Sequence, residues 1–136
     1  MRNPDTEPAG KAVHVTGRRT RLRPGMEARY ASVHAAVPPA VLRALRTCGV
    51  VRWQIWRDGR GLFHLIESED RYEVMVERIL GLGPIDPEWD RIIAALLEEG
   101  EGSDELLPLI WTMVGSEQFA GAAGETLAAP ASWQGR

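Results

Sequence analysis

The chain predicts an α+β fold: an antiparallel sheet with helices on one face. Three observations carry that expectation. Residues 50–57 and 62–67 are β-rich runs flanking Asp58-Gly59, a tight-turn pair typical of a hairpin. Helix-forming stretches lie on both sides of that hairpin, and one further strand-like run stands near each end. The order strand, helices, hairpin, helices, strand is that of a ferredoxin-like split βαβ unit.

Each element has a local reason. Residues 12–22 (AVHVTGRRTRL) are rich in β-branched residues, most strongly from Thr16 to Leu22, and Arg23-Pro24-Gly25 stops the strand. Residues 26–36 favour helix until Pro38-Pro39, where the first proline disfavours helix at Val37. A second helix then starts near Pro38, with Val41, Leu42, Leu45 and Cys48 at helical spacing and Gly49 placed as its C-terminal cap. After the hairpin, Ser68 precedes an acidic first turn and a helix over 69–81. Asp86-Pro87 reads as an N-cap followed by proline at the first helical position, opening a helix to about Glu99. Gly100 to Asp104 reads as a loop, and 106–113 (LLPLIWTM) as one last apolar strand. The domain therefore occupies 11–114, between a flexible polar tail at 1–10 and an Ala/Gly-rich tail at 115–136.

In the second strand Trp53 and Ile55 alternate with Gln54 and Trp56, so both of its faces carry large apolar groups. The face away from the helices then needs a cover. A homodimer packed sheet against sheet, a dimeric α+β barrel, supplies one.

At 136 residues the chain is one domain's worth, and its 44% hydrophobic and 26% charged content is that of a folded protein. A net charge of −3 argues against nucleic acid as the main partner. No apolar run approaches the roughly 20 residues needed to cross a bilayer. A single cysteine, Cys48, allows no intrachain disulfide, and no signal peptide precedes the domain, so a cytoplasmic setting is expected. The cluster Arg18, Arg19, Arg21 and Arg23 is either a basic patch beside a site, with Arg18 reaching the substrate, or a solvated strand edge.

Tyr30 and His34 stand four apart on a predicted helix and share one face. An imidazole with an ordinary pKa of about 6.5 can give and take a proton near neutrality, and a neighbouring phenol can donate or relay one. The same spacing also suits a packed helix pair. His64 falls on the strand face of Leu62 and Ile66, as a pocket-lining group, a core group or a second acid/base. Trp53, Trp56, Trp89 and Trp111 all lie in predicted elements; some stack on ligands and at least two build core. The three histidines form no metal motif, and no phosphate-binding glycine loop, dinucleotide fingerprint or serine-hydrolase elbow is present.

The stretch from Arg21 to Glu67 resembles the L-rhamnose mutarotase family. The resemblance rests on Arg23-Pro24-Gly25, on Ala28-Arg29-Tyr30-Ala31-Ser32-Val33-His34, on Pro39, and on Leu45 to Gly49 leading into Trp53-Gln54-Ile55. Leu62-Phe63, Glu67, Glu88-Trp89-Asp90 and the closing run from Leu106 to Met113 extend it to about residues 16–113. It implies a ferredoxin-like dimer acting on a small-molecule substrate without metal or organic cofactor. It implies His34 as general acid/base, with Tyr30 beside it and Trp89 lining a sugar site. The implied reaction interconverts the α and β anomers of L-rhamnose or a related aldose by ring opening and closure.

Four departures reshape that pocket. Pro38-Pro39-Ala40 replaces a Trp-Pro-Glu run, Trp53 stands where the family has tyrosine, His64 stands where a small residue is usual, and the first strand is more charged. With Trp53, His64 and Arg18 as further substrate contacts, two other readings fit. One is an enzyme of the same architecture repurposed for a flat or anionic, polyketide-like substrate in a biosynthetic pathway. The other is a non-catalytic small-ligand binding dimer.

Overall fold

The β-branched run His14–Arg21 forms a strand, β1, and its pairing on both sides organises everything that follows. The computed structural model describes residues 13–121. After β1 come α1 (Glu27–His34), α2 (Pro39–Thr47), the hairpin strands β2 (Val50–Asp58) and β3 (Gly61–Ser68), then α3 (Tyr72–Gly81) and α4 (Pro87–Leu96). Three short strands follow: β4 (Asp104–Leu107), β5 (Trp111–Val114) and β6 (Glu117–Ala120). The main sheet has the order β2-β3-β1-β4, all neighbours antiparallel, which is the ferredoxin-like arrangement.

Register decides which side chains meet the helices. Arg18 pairs with His64, Thr20 with Leu62, Ile55 with His64 and Trp53 with Ile66, and these residues share one face. On that face Leu62, Ile66 and Ser68 are essentially fully buried, and Thr20 and His64 nearly so. The helices cover it through two small cores. Leu22, Tyr30, Leu62 and Leu96 form one, and Cys48, Ile66 and Met75 form the other. The opposite face stays open: Trp56 lies directly across from Phe63, and both are exposed.

Helix ends follow capping chemistry, with two differences from expectation. Gly49 takes φ +103°, the left-handed conformation that closes α2. Asp86 caps α4 by accepting from the Trp89 backbone N–H at 3.0 Å. Ser68 does not cap α3: it remains in β3, its hydroxyl donates to the Asp70 carbonyl, and the helix starts at Tyr72. α4 stops at Leu96 rather than near Glu99 because the chain peels away to rejoin β1. Arg23 N–H donates to the Leu96 carbonyl and Glu98 N–H to the Arg21 carbonyl.

The closing strand also differs. The expected run over 106–113 is split at Pro108, which has no N–H for a sheet ladder. Its first part belongs to β4, and its second enters β5, which pairs with β6 as a separate two-stranded sheet. β6 lies within the stretch read from sequence as the C-terminal tail. Residues 122–136 of that tail, and the tail at 1–10, lie outside the described residues. The β5–β6 hairpin and its approach expose Ile110, Trp111, Met113 and Val114. No described helix is long and apolar enough to cross a membrane.

Candidate functional site

The helix-facing side of the sheet carries an uncommon load of polar groups at its centre. Arg18 reaches diagonally across the β1–β4 pair to Asp104, and the two form a bidentate ion pair with contacts of 2.8 and 2.6 Å. This hydrogen bonding raises the guanidinium pKa and holds the Asp104 carboxyl below its usual range. The other early arginines are paired as well: Arg19 with Glu105, Arg21 with Glu98 and Arg23 with Glu99. The cluster is therefore an ion-paired run on and just beyond an interior strand, with Arg18 alone of the four lining the cavity and its positive charge matched by Asp104.

His64 is held between two partners. The Trp53 Nε1–H donates to its Nδ1 at 3.1 Å, and its Nε2 lies 2.9 Å from Thr20 Oγ1. An indole N–H can only donate, so Nδ1 is the unprotonated nitrogen and the ring proton sits on Nε2, donated to Thr20. Burial, with the nearby Arg18 charge second, lowers the His64 pKa to about 4, which keeps the ring neutral as this chain of donors requires. Both nitrogens are engaged, so His64 has none left for proton exchange. It instead directs the Thr20 hydroxyl, whose own proton remains free to be donated.

α1 supplies the second polar group of residues. Tyr30 is buried in the first core, and its ring stacks on His34 with centroids 4.9 Å apart and planes 16° apart. His34 also meets Trp89, the residue that the Asp86 cap sets one turn into α4, at 5.5 Å. Burial lowers the His34 pKa and raises that of Tyr30, so at neutral pH the imidazole is uncharged and the phenol protonated. Nδ1 of His34 is buried without a hydrogen-bond partner among the described residues. No described residue therefore pins this ring to one tautomer, and with Nδ1 buried any proton exchange at this ring falls to Nε2.

All six residues singled out from sequence — Arg18, Tyr30, His34, Trp53, His64 and Trp89 — line one cavity of about 520 Å³. Sequence reasoning missed Thr20 and Asp90, which also line it, and Asp104, which pairs with Arg18. From sequence Asp104 ends a loop, whereas in the structure it opens β4 opposite Thr20. The rest of the wall is apolar, with Val37, Val41, Leu42 and Leu45 around α2 and Ile93 on α4. None of the four strand and helix tryptophans is fully buried: Trp53 packs against the second core, Trp89 lines the cavity, and Trp56 and Trp111 are exposed. No cluster of described residues has the make-up of a metal site.

Fold and cavity together define a ferredoxin-like α+β protein whose cavity joins two histidines and a tyrosine to an apolar wall. The chain belongs to the L-rhamnose mutarotase family, whose profile matches residues 16–114. Family membership carries a mutarotase activity, an isomerisation, at the level of the family as a whole. No curated protein matches the chain. Among solved structures, a dimeric ferredoxin-like protein from an uncultured marine organism is 10% identical, with 87% of this chain and 93% of that one covered and a TM-score of 0.49. Two NIPSNAP family proteins from Agrobacterium tumefaciens strain C58 are each 17% identical. One has 71% of this chain and 91% of its own covered at a TM-score of 0.44, the other 72% and 88% at 0.45.

Proposed function

We propose that the protein interconverts the α and β anomers of L-rhamnose or a related aldose, with His34 as the general acid/base. The observation that carries this reading is the unpinned His34 ring, stacked on the Tyr30 phenol inside the cavity. Mutarotation needs a group that removes the anomeric hydroxyl proton and another that protonates the ring oxygen. His34 Nε2 takes the first proton while Tyr30 gives one to the ring oxygen. The C1–O5 bond breaks as the C1 carbonyl forms, and after rotation about C1–C2 the ring recloses with both transfers reversed. The sugar supplies both oxygens, and the protein ends each cycle unchanged. Trp89 and Trp53 offer faces to the C–H surfaces of the ring, and Thr20 offers a hydroxyl donor.

The matched charge of Arg18 and the carboxylate of Asp90 at the cavity wall weigh against an anionic substrate. The active unit is a homodimer joined through the open sheet face. Trp56, Phe63 and Val15 on or beside that face, and the apolar side chains of the β5–β6 hairpin, favour this assembly.

Saturation-transfer proton NMR on equilibrated L-rhamnose and a panel of aldoses tests the reaction. Wild type accelerates exchange between anomers, and His34→Ala loses the acceleration by about 10²–10⁴-fold, the usual size of a general acid/base contribution. The wild-type rate falls on acidification below 6.5, because protonated His34 can no longer accept the anomeric proton and burial places its pKa beneath that value. Absence of acceleration with every sugar rejects the reading.

A further inference from the structure

The cavity that holds Tyr30 and His34 has a neighbour across Trp89. A second cavity of about 520 Å³ lies against it, and the two share Val41, Leu45, Trp89 and Asp90 as common walls. The added space runs between α2 and the end of α3. It is lined by Ala44, Ile79, Leu80, Pro84 and Ile85, all apolar, and Leu80 is 73% exposed.

Asp90 and the Trp89 indole apart, the polar side chains lining the two cavities all belong to the first. Arg18, Thr20, Tyr30, His34 and His64 come from the sheet and α1. Of these, Arg18 is taken by Asp104 and both nitrogens of His64 are engaged within the protein. A bare aldose carries a hydroxyl on nearly every ring carbon. Few of those hydroxyls would find partners here, and the others would lie against Val41, Leu45 and Ile93, where an unpaired polar group is unfavourable. A ligand with one polar end and one apolar end leaves fewer of its own polar groups unpaired. Asp90, the charged member of the shared wall, requires that the apolar end also be free of negative charge.

We infer that the preferred substrate is a cyclic hemiacetal bearing a neutral apolar substituent, an alkyl or aryl group remote from the anomeric carbon. Its hemiacetal end sits at His34, Tyr30 and Thr20, and the substituent passes Trp89 into the second cavity. The inference rests on the acid/base reading of His34 for turnover, but not for binding.

The test compares L-rhamnose with its hexyl ether at the C4 hydroxyl, using anomer exchange by NMR for turnover and tryptophan fluorescence titration for binding. Wild type favours the hexyl ether by at least tenfold in kcat/KM, through KM, and binds it at least tenfold tighter. Ala44→Glu, which places a charge in the second cavity, removes that preference, as does Leu80→Glu at a position exposed enough to leave folding intact. Equal or poorer handling of the hexyl ether overturns the substituent site while leaving the mutarotase reading in place. Exchange absent for both compounds, with the hexyl ether still bound tighter and the preference still lost in both variants, keeps the site and rejects mutarotation. Equal binding of both compounds, or a preference that persists in both variants, overturns the site whatever the turnover.

Discussion

His64 shows how a single side chain links packing to acid stability. Its pKa is about 4 in the folded protein and about 6.5 when exposed. Between those values the unfolded chain binds a proton that the folded chain refuses, so acidification favours unfolding. The contribution is complete above 6.5, declines as pH falls, and is lost by about 4; the gap corresponds to about 3 kcal/mol. His34, also lowered by burial, acts in the same direction. Urea denaturation at pH 7 and pH 4.5 should show a marked loss of stability in wild type and a smaller one in His64→Leu. A variant as acid-sensitive as wild type would mean that other groups set the slope. Sequence marked Trp53 and His64 separately as pocket residues, but not the bond between them. That bond depends on cross-strand register, with Trp53 opposite Ile66 and Ile55 opposite His64, and on the bulge between Val50 and Arg52 that fixes which face Trp53 occupies. Thr20 is not legible as a site residue, because a threonine in a β-rich run is ordinary strand material and its His64 partner is 44 residues away.

At the scale of elements, α4 matters most to the site because it delivers Trp89 to His34. Its start was legible from Asp86-Pro87, since a cap and an N1 proline are local signals that tertiary context seldom overrides. Its end was not, since that depends on Arg21 of β1 and Arg23 just beyond it taking Glu98 and Leu96 into backbone hydrogen bonds. Asp86→Ala frees the Trp89 N–H and should cost about 1 kcal/mol of stability. It should also loosen Trp89 against His34, so the ring contact seen by NMR weakens more than the global fold does. An unchanged Trp89–His34 contact would show that side-chain packing, not the cap, sets its position. The same contrast explains the closing strand. LLPLIWTM reads as one apolar run by composition, yet Pro108 divides it between two sheets. Composition marks strand material, and a missing N–H decides where the ladder breaks.

For the whole molecule the question is how a chain with few fully buried apolar side chains is stabilised. Only Leu22, Leu62, Ile66, Met75 and a few others are buried among the described residues, while Trp56, Phe63, Val15 and Ile110 are exposed. Small domains bury proportionally little surface, and a second subunit adds what a single core lacks. Light scattering should give twice the mass of the chain, and Trp56→Glu with Phe63→Glu should give a monomer of lower thermal stability. A wild-type monomer at micromolar concentration would remove the dimer from the account. Sequence reached this expectation through strand alternation at Trp53-Gln54-Ile55-Trp56, because a strand apolar on both sides signals a second layer whatever that layer is.

The β5–β6 hairpin gives the chain two timescales of opening. A two-stranded ribbon that pairs with no other described strand has little to hold it closed in water, whereas β1 and β3 lie inside a ladder bonded on both sides. Amide hydrogens of 111–120 should therefore exchange with solvent deuterium long before those of 14–21 and 61–68. If a second copy covers Ile110 and Met113, protection of the hairpin will rise with protein concentration while that of the central strands stays nearly constant. A dilution series followed by deuterium uptake would thus report subunit association through one short segment, and cleavage by a protease at the Gly115-Ser116 turn would follow the same dependence.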